Sequence, residues 1–366
     1  MKVLTLASYP IEAASTRYRV AQYIEPLAQQ GITLTLHPFL DSKLHRALYK
    51  RSEWPRTALG LLRASLRRLT EVVKAHDADV LFVQREAMMY GPPIFEWLAL
   101  NIGHCPMVLD LDDATYVPYR SPTYGDWATA AKWFSKTDKL IDWSQVVVCG
   151  NRTISDYVSA RAKRAVIIPT VVSTEVFRPR LEKAANNIPV LGWIGTHSTF
   201  QYLESIFPML EKLAQELRFK LKVIGAGDRE IRITGVEVEN LPWSLHREIE
   251  DFQSLDIGLY PIIEDEWSVG KSGFKAIQYM SVGIPFVGSP VGACAELGEP
   301  DVTHFLANTT EDWRQSLSRL ITDPDLRHSM GSAGRHYAEN HYSLDLQVRK
   351  LVEVFRSVVS SESTGS

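Results

Sequence analysis

The chain has 366 residues, which is more than one ordinary hydrophobic core supports, so two domains are expected. Hydrophobic residues make up 45% of it and charged residues 23%, values typical of a globular protein rather than of a disordered chain. The net charge of -3 excludes a global attraction to nucleic acid, so any affinity for a polyanion must come from a local patch.

The cysteines and the apolar runs indicate the compartment. Cys105, Cys149 and Cys294 are far apart, odd in number and without metal-like spacing, which favours a reducing compartment. The opening Met1–Ala7 is too short an apolar run for a signal peptide. No stretch approaches the roughly 18 to 20 apolar residues of a membrane span. A cytoplasmic protein is therefore predicted, with peripheral contact to the inner face of the membrane left open.

Short apolar runs alternate with longer amphipathic segments in the first half, which is typical of a parallel sheet wrapped by helices. Helices are predicted at Tyr18–Gln30, which Gly31 would end, and at Leu59–Ala75. The predicted strands of this half are Val3–Ala7, Thr33–His37, Val80–Gln84, Met107–Leu111, Val146–Cys149 and Ala165–Ile168.

The pattern pauses near Pro169 and then restarts, with the polar stretch Arg178–Pro189 as a linker and a helical region from Ala307 to about Val359. Two α/β Rossmann-like domains follow from this, facing each other across a cleft that would hold the active site. The predicted strands of the second half are Val190–Ile194, Lys220–Ile224, Val236–Glu239, Ile257–Tyr260 and Pro285–Gly288.

The stretch Gly270–Met280, which reads GKSGFKAIQYM, carries the clearest chemistry. A polar loop leads into a helix near Gly273, and the N–H groups of Gly273 and Phe274 together with Lys271 and Lys275 would cradle a diphosphate. The alternative is a plain glycine-containing turn with solvated lysines.

The same stretch resembles the donor-binding segment of glycosyltransferase family 4, the group 1 transferases of the GT-B fold. Ile168–Pro179 (IPTVVSTEVFRP) resembles the family's interdomain segment, and Leu191–Gly195 (LGWIG) resembles the strand that opens its second domain. Asp323–Gly331 (DPDLRHSMG) matches its tail. The resemblance implies an acceptor-side domain at 1–172, a donor-binding domain at 173–341, and a last helix, 342–358, that returns to the first domain.

The chain departs from the family pattern at the phosphate-binding positions. Gly270 and Gln278 stand where relatives carry two glutamates, so Gln278 would hold the ribose without a charge, and Asp265 or Glu266 could supply the missing acid. Thr196-His197-Ser198-Thr199 replaces a basic pair, so Lys271 and Lys275 are expected to neutralise the diphosphate without a metal or other cofactor. The predicted donor-binding residues are Gly195, Thr196, His197, Trp243, Ser272, Gly273, Phe274 and Gln278.

Asp112 is the candidate catalytic residue of the first domain. It lies in the run Val108–Asp113, which ends a predicted strand, and stands where many relatives carry a histidine near the sugar. Its carboxylate could orient a sugar hydroxyl or stabilise oxocarbenium-like charge. The Asp-x-Asp-Asp cluster also allows a metal site, and a structural capping role is a third alternative.

Three further residues are predicted on the acceptor or phosphate side: Arg17, Arg85 and Asp113. Arg17 stands where relatives have a glycine-rich loop, and its alternative is a solvated surface arginine. For Arg85 the alternative is a buried ion pair between neighbouring loops. Trp243 lies where relatives bracket the nucleotide base, although an isolated tryptophan can equally belong to the core.

Residues 43–74 are basic and contain an amphipathic helix, with leucines at three- and four-residue steps. Such a helix can lie on anionic lipid, in which case the acceptor would be lipid-linked. Alternatively, the leucine row is the core face of the helix and the arginines are solvated.

Together these features predict a retaining, metal-independent transferase that moves a sugar from a nucleotide sugar, with UDP the most frequent carrier in the family. The acceptor would be a glycan or a lipid-linked glycan in the assembly of cell-surface polysaccharide. Two alternatives stay open: an epimerase or phosphorylase of the same architecture, and a non-catalytic protein that binds sugar nucleotides or acts as a scaffold.

Overall fold

A computed structural model describes residues 1–48, 50–118, 125–180 and 188–363 of the chain. Residues 181–187 of the predicted linker Arg178–Pro189 lie outside this part. The chain divides into two compact units. Unit 1 comprises Met1–Thr170, the short segment Gly270–Ser272 and the chain from Asp345, and unit 2 comprises Val171–Val269 and Gly273–Leu344.

Unit 1 is built on a parallel six-stranded sheet with the order β2-β1-β3-β4-β5-β6. The strands are β1 (Lys2–Ala7), β2 (Thr33–Pro38), β3 (Val80–Gln84), β4 (Met107–Leu111), β5 (Val146–Cys149) and β6 (Arg164–Ile167). The helices are α1 (Ala14–Arg19), α2 (Ile24–Gln29), α3 (Ser42–Ala47), α4 (Trp54–Val72), α5 (Ile94–Gly103), α6 (Asp126–Lys132), α7 (Lys136–Trp143) and α8 (Arg152–Ser159). Every residue of β3, β4 and β5 is buried, as expected for strands covered on both faces.

Unit 2 repeats this plan with the strand order β12-β11-β10-β7-β8-β9, again parallel. The strands are β7 (Val190–Ile194), β8 (Lys220–Ile224), β9 (Glu237–Leu241), β10 (Ile257–Tyr260), β11 (Phe286–Gly288) and β12 (Phe305–Leu306). The helices are α9 (Phe200–Glu204), α10 (Phe207–Glu216), α11 (Glu248–Gln253), α12 (Phe274–Ser281), α13 (Thr310–Thr322) and α14 (Pro324–His341). The two-residue β12 was not predicted, because so short a strand has no periodicity.

The last helix, α15 (Leu344–Ser363), packs in unit 1. The ring of Phe355 meets that of Phe82 on β3 edge to face, with 5.3 Å between centroids. Arg164 Nη1 also donates to Ser357 Oγ at 3.0 Å. The helical region predicted from Ala307 thus consists of α13, α14 and α15.

The single helix predicted at Tyr18–Gln30 is wrong. The structure has α1, a 3-10 turn at Ala21–Tyr23, and α2. Val20 leaves helical geometry with φ -128° and ψ -60°. Pro26 explains the break, because in a continuous helix its ring would clash with the carbonyl of Gln22 and its nitrogen could not donate.

The interpretation of the leucine row as a core face is also wrong. Helix α4 does form, but the leucines of this row are exposed, and the buried side of the helix contains Arg68 and Glu71 beside Ala64 and Val72. None of the described helices combines the length and the apolar character that a membrane-spanning segment needs.

Candidate active site

In unit 1 the charged residues lie at the carboxyl ends of β3 and β4, the edge at which parallel sheets bind ligands. Arg85 follows β3, and its guanidinium donates to both oxygens of the Asp112 carboxylate. Nε lies 2.5 Å from Oδ1, and Nη2 lies 2.8 Å from Oδ2. Arg85 Nη2 also donates to Asp113, and Gln84 Nε2 reaches Asp112 Oδ1 at 3.3 Å. The predicted residues Arg85, Asp112 and Asp113 are therefore brought together in one ion-pair network.

The two carboxylates of this network differ in acidity. Burial opposes ionisation of Asp112, but the charge and hydrogen bonds of Arg85 together with the charge of Arg19 outweigh it and lower the pKa of this carboxyl. Burial raises the pKa of Asp113; Arg85 and Lys271 oppose this, while the neighbouring Asp112 carboxylate adds to it. Asp112 is thus held as an anion with a fixed orientation.

The backbone of Arg85 adopts a conformation that is rare for arginine. Its φ of +62° lies in the left-handed region, which arginine rarely adopts. The backbone N–H of Arg85 donates to Asp110 O at 2.8 Å, and its side chain is held by the two carboxylates. Strain of this kind persists where the surroundings over-determine it, and it is common at functional sites.

Arg19, rather than Arg17, is the buried arginine at the start of the chain. It forms a two-pronged ion pair with Asp110 and donates to Ile168 O at 2.6 Å. Arg17 instead donates to the carbonyl of Glu12 at 2.9 Å and lies over the Tyr18 ring. The phosphate role of Arg17 stays a prediction, while Arg19 ties α1 to β4.

The segment Gly270–Ser272 leaves no room for a side chain at its first residue. A Cβ added at Gly270 would lie 2.3 Å from the Cβ of Ala114, so no side chain fits there without movement. The buried Asn151 holds the segment in place by donating from Nδ2 to Gly270 O at 2.8 Å. The next residue, Lys271, is close enough to Asp113 to oppose the rise in its pKa.

In unit 2, α12 begins at the residue after Gly273, whose φ of +65° suits glycine. A Cβ there would also meet Leu297 Cδ1 at 2.6 Å. Lys275, in the first turn of the helix, donates from Nζ to Gln278 Oε1 at 2.9 Å. A helix N-terminus with a lysine in its first turn has the donors and the positive potential that phosphate binding requires.

Gln278 is fully buried, and its amide lies between Lys275 and a carboxylate that was not predicted. Its Nε2 reaches Glu248 Oε1 at 3.4 Å, and Glu248 itself is buried at the start of α11. No motif marks Glu248, and 30 residues separate it from Gln278, so only the fold brings the two together. The predicted contact of Gln278 with ribose stays a prediction.

A glycine-lined edge forms where β7, β8 and β9 end. A Cβ at Gly225 would lie 2.2 Å from Gly195 O and 3.4 Å from Trp243 Cβ, so the loops after these three strands meet at this point. Thr196 N donates to Thr199 Oγ1 at 3.1 Å in a tight turn, and His197 in this turn is exposed. Trp243 is half-buried. The structure thus places Gly195 and Trp243 both beside Gly225.

The structure also bears on the two acidic candidates, Asp265 and Glu266, and on the possible metal site at the aspartate cluster. Asp265 Oδ1 accepts from Ser268 N at 2.6 Å and so closes a turn, while Glu266 is exposed. Within the described residues, no group of three or more His, Cys, Asp or Glu side chains is arranged to hold a metal ion. The cluster Asp110, Asp112 and Asp113 is instead shared between Arg19 and Arg85.

Residues 188–323 match the family model described as Glycosyl transferases group 1. The match runs from β7 through α13 and contains the glycine-lined edge and the start of α12. No curated protein sequence matches the chain.

Solved structures share the whole fold at low sequence identity. A glycosyltransferase from Rickettsia africae is 15% identical with a TM-score of 0.71, and 98% of each chain is covered. Sucrose-phosphate synthase from Thermosynechococcus elongatus is 12% identical with a TM-score of 0.68, covering 99% of this chain and all of that one. HepE of Anabaena, solved with UDP-glucose, is 15% identical with a TM-score of 0.66 and is covered completely by 98% of this chain.

The two parallel sheets and these neighbours establish the predicted two-domain Rossmann-like GT-B fold. The match to the group 1 glycosyl transferases spans residues 188–323, and the solved neighbours share the fold of the whole chain.

Proposed function

We propose that this protein is a retaining hexosyltransferase of glycosyltransferase family 4 that uses a nucleotide sugar, with UDP as the first carrier to test. The acceptor is a glycan or lipid-linked glycan in the assembly of cell-surface polysaccharide. The UDP and UDP-glucose complexes of HepE, which shares the fold, support this choice of donor. The three free, buried cysteines support a cytoplasmic setting.

The observation that carries the proposal is the first turn of α12. There Gly273 turns the backbone into the helix, and Lys275 stands one residue after the helix begins. This helix lies inside the segment that matches the group 1 family. We infer that the diphosphate of the donor binds at this turn, with Phe274 N–H and Lys275 Nζ as donors.

Sugar transfer releases a nucleoside diphosphate, so negative charge develops on the leaving oxygen in the transition state. Cations and N–H groups fixed in advance at that place stabilise the transition state more than the ground state. Lys275 carries this role in our proposal, and Lys271, four residues earlier in the chain, assists it. Glu248 and Gln278 act as positioning residues, because the Gln278 amide orients the Lys275 ammonium.

In unit 1 the proposal assigns Asp112 to the transferred sugar. Its depressed pKa keeps the carboxylate ionised, and Arg85 fixes its direction. A fixed anion can accept a hydrogen bond from a sugar hydroxyl and stabilise oxocarbenium-like charge. Asp113 and Arg17 are proposed on the acceptor side, and Gly195, Thr196, His197 and Trp243 beside the nucleotide.

The direct test is the release of nucleotide from a panel of UDP-, GDP- and ADP-sugars, with and without EDTA. We expect slow release from one donor that EDTA does not change, and retention of the anomeric configuration in the product. Lys275→Ala should abolish most of this release, whereas Lys212→Ala, an exposed lysine on α10 of the same unit, should not.

Other outcomes would identify the alternatives. Donor binding without release from any sugar nucleotide, over a panel of glycan acceptors, would indicate a non-catalytic binding protein. Sugar phosphate formed from a glycan and inorganic phosphate would indicate a phosphorylase. Release that EDTA abolishes would contradict the metal-independent mechanism.

A further inference from the structure

Helix α4 turns its row of apolar side chains toward solvent, the reverse of an ordinary surface helix. Such a helix buries its apolar face against the core and turns its polar face to water. In α4 and the turn that follows it, one row of apolar side chains faces outward, each between 44% and 57% exposed. The row consists of Leu59, Leu62, Leu66, Leu69 and Val73.

Two charged residues on the buried face of α4, Arg68 and Glu71, fix the rotation of the helix. Arg68 is fully buried and donates to His37 O at 2.8 Å and to Ala7 O at 3.0 Å, carbonyls at the ends of β2 and β1. It also pairs with Glu71 at 3.0 Å. Turning the leucines inward would withdraw the Arg68 guanidinium from both carbonyls and expose the buried ion pair. The outward leucine row is therefore a consequence of how the helix is anchored.

A basic row runs along one side of the leucines. Arg56, Arg63 and Lys74 are exposed and recur at spacings that place them on one edge of the helix. Arg67 is on the same edge but is held by Glu71 and by two carbonyls of the loop after β2. The acid of this helix, Glu71, is buried, so it does not offset the charge at the surface.

We propose that the α4 face, defined by this leucine row and the basic row beside it, docks on an anionic lipid surface. Isolated exposed leucines are ordinary, but a contiguous row of them marks an interaction site. A leucine face bordered by arginine and lysine is the pattern of helices that lie in the membrane interface. Trp54, 42% exposed at the start of α4, is a residue type enriched at that level of a bilayer.

Charge favours lipid over a second copy of the chain. The chain as a whole carries a net charge of -3, so the basic row is a local feature. Two-fold pairing through α4 would place two basic rows in one interface, where they repel each other. An anionic bilayer instead supplies both the apolar layer and the opposite charge. The inference does not depend on the proposed transferase activity, because binding can be measured without a donor.

The test is sedimentation of the full chain with vesicles of phosphatidylcholine alone or with phosphatidylglycerol added. We expect binding to the anionic vesicles, and at least about tenfold weaker binding of Leu62→Glu/Leu66→Glu. The matched control is Val176→Glu/Val302→Glu, which places the same charges at comparably exposed apolar positions of unit 2 (54% and 51%) and should bind like the wild type. Since all four positions are exposed, unfolding midpoints should stay close to the wild-type value.

The basic row has its own pair of variants. Arg56→Gln/Arg63→Gln should weaken binding to anionic vesicles several-fold, whereas Lys212→Gln/Arg218→Gln in unit 2 should not. Wild-type protein that ignores anionic vesicles would overturn the proposal. A wild-type dimer that Leu62→Glu/Leu66→Glu converts to a monomer with vesicle binding unchanged would also overturn it, in favour of a second copy as the partner.

Discussion

The two units share a parallel six-stranded sheet but differ in the charges that follow their strands. In unit 1 Arg19 pairs with Asp110 near the end of β4, and Arg85 is shared by Asp112 and Asp113 just beyond that strand. In unit 2 the corresponding region offers glycine backbone, a helix start and Lys275. We therefore propose that unit 1 holds charges fixed by ion pairs, whereas unit 2 keeps a positive potential for a bound diphosphate.

The largest effect is expected from removing Asp112, the ionic partner of Arg85 in unit 1. Asp112→Ala should lower the free energy of unfolding by about 3 kcal/mol, because the half-buried Arg85 loses its two-pronged partner and keeps only Asp113. Urea denaturation measures this loss. Glu237→Ala removes a partner from the exposed pair with Lys220 and should cost less than about 1 kcal/mol. Equal losses in the two variants would contradict the structural importance of the Arg85 network.

Lys275→Ala tests the other half of the comparison. It should reduce kcat/KM for the donor by roughly a hundredfold or more, about 3 kcal/mol in the transition state, with little change in stability. Steady-state nucleotide release and a thermal melt of the same sample separate the two effects. A variant that unfolds early but keeps its activity per folded molecule would reverse the assignment.

Acid should weaken unit 2 as the pH falls below 6.5, because His304 is buried there in its neutral form. Burial lowers the pKa of His304 from 6.5 to about 4, and its ring stacks on Phe286 with 4.6 Å between centroids. The unfolded chain takes up a proton first, so stability is full above pH 6.5 and falls as the pH drops toward 4. We expect a loss of about 2 kcal/mol by pH 5.

His304→Phe keeps a ring against Phe286 but removes the titrating group. Comparison of its unfolding free energy with that of the wild type between pH 7 and 4.5 isolates the contribution of His304. Parallel pH profiles of the two proteins would show that His304 is already protonated in the folded state or is not buried as described.

Gly270→Ala examines the close approach of Gly270 to Ala114. The added methyl group would overlap the Ala114 methyl group and should cost about 2 kcal/mol of stability. Ala114→Gly in the same chain should restore most of the loss, since it removes the opposing methyl group. If the double variant is no more stable than Gly270→Ala, the contact is not the reason for a glycine at this position.

The smallest effect concerns the positioning of Lys275. Glu248→Gln should lower kcat about tenfold with less change in donor affinity, because the Gln278 amide loses its charged partner. Glu250→Gln, an exposed neighbour on α11, is the matched control and should behave like the wild type. Identical kinetics for the two variants would remove Glu248 from the positioning network.

The strands were the most predictable part of the fold. Val80–Gln84, Met107–Leu111 and Val190–Ile194 have the predicted bounds because buried parallel strands are continuous apolar runs. Helix α4 was harder, since periodicity shows that a leucine face exists but not which way it points. That direction depends on Arg68 reaching carbonyls of β1 and β2, which are distant in the sequence.

The candidate site was predictable where a local motif carries it and not where the fold assembles it. Gly273 and Lys275 were found because a glycine before a helix and a lysine in its first turn are visible in the sequence. Glu248 and Asn151 were not, because their partners lie 30 and 119 residues away. No side chain fits at Gly270 because Ala114 lies against it, and no local pattern in the sequence reveals this contact.

The most direct test of the central claim compares the binding of UDP and uridine by calorimetry. In the wild type, we expect UDP to bind at least about a hundredfold more tightly than uridine, since we propose that the diphosphate occupies the first turn of α12. In Lys275→Ala this difference should shrink to about tenfold or less while uridine binds as before, and Lys212→Ala should keep the full difference. An unchanged preference for UDP in Lys275→Ala would contradict the assignment of the diphosphate to that turn.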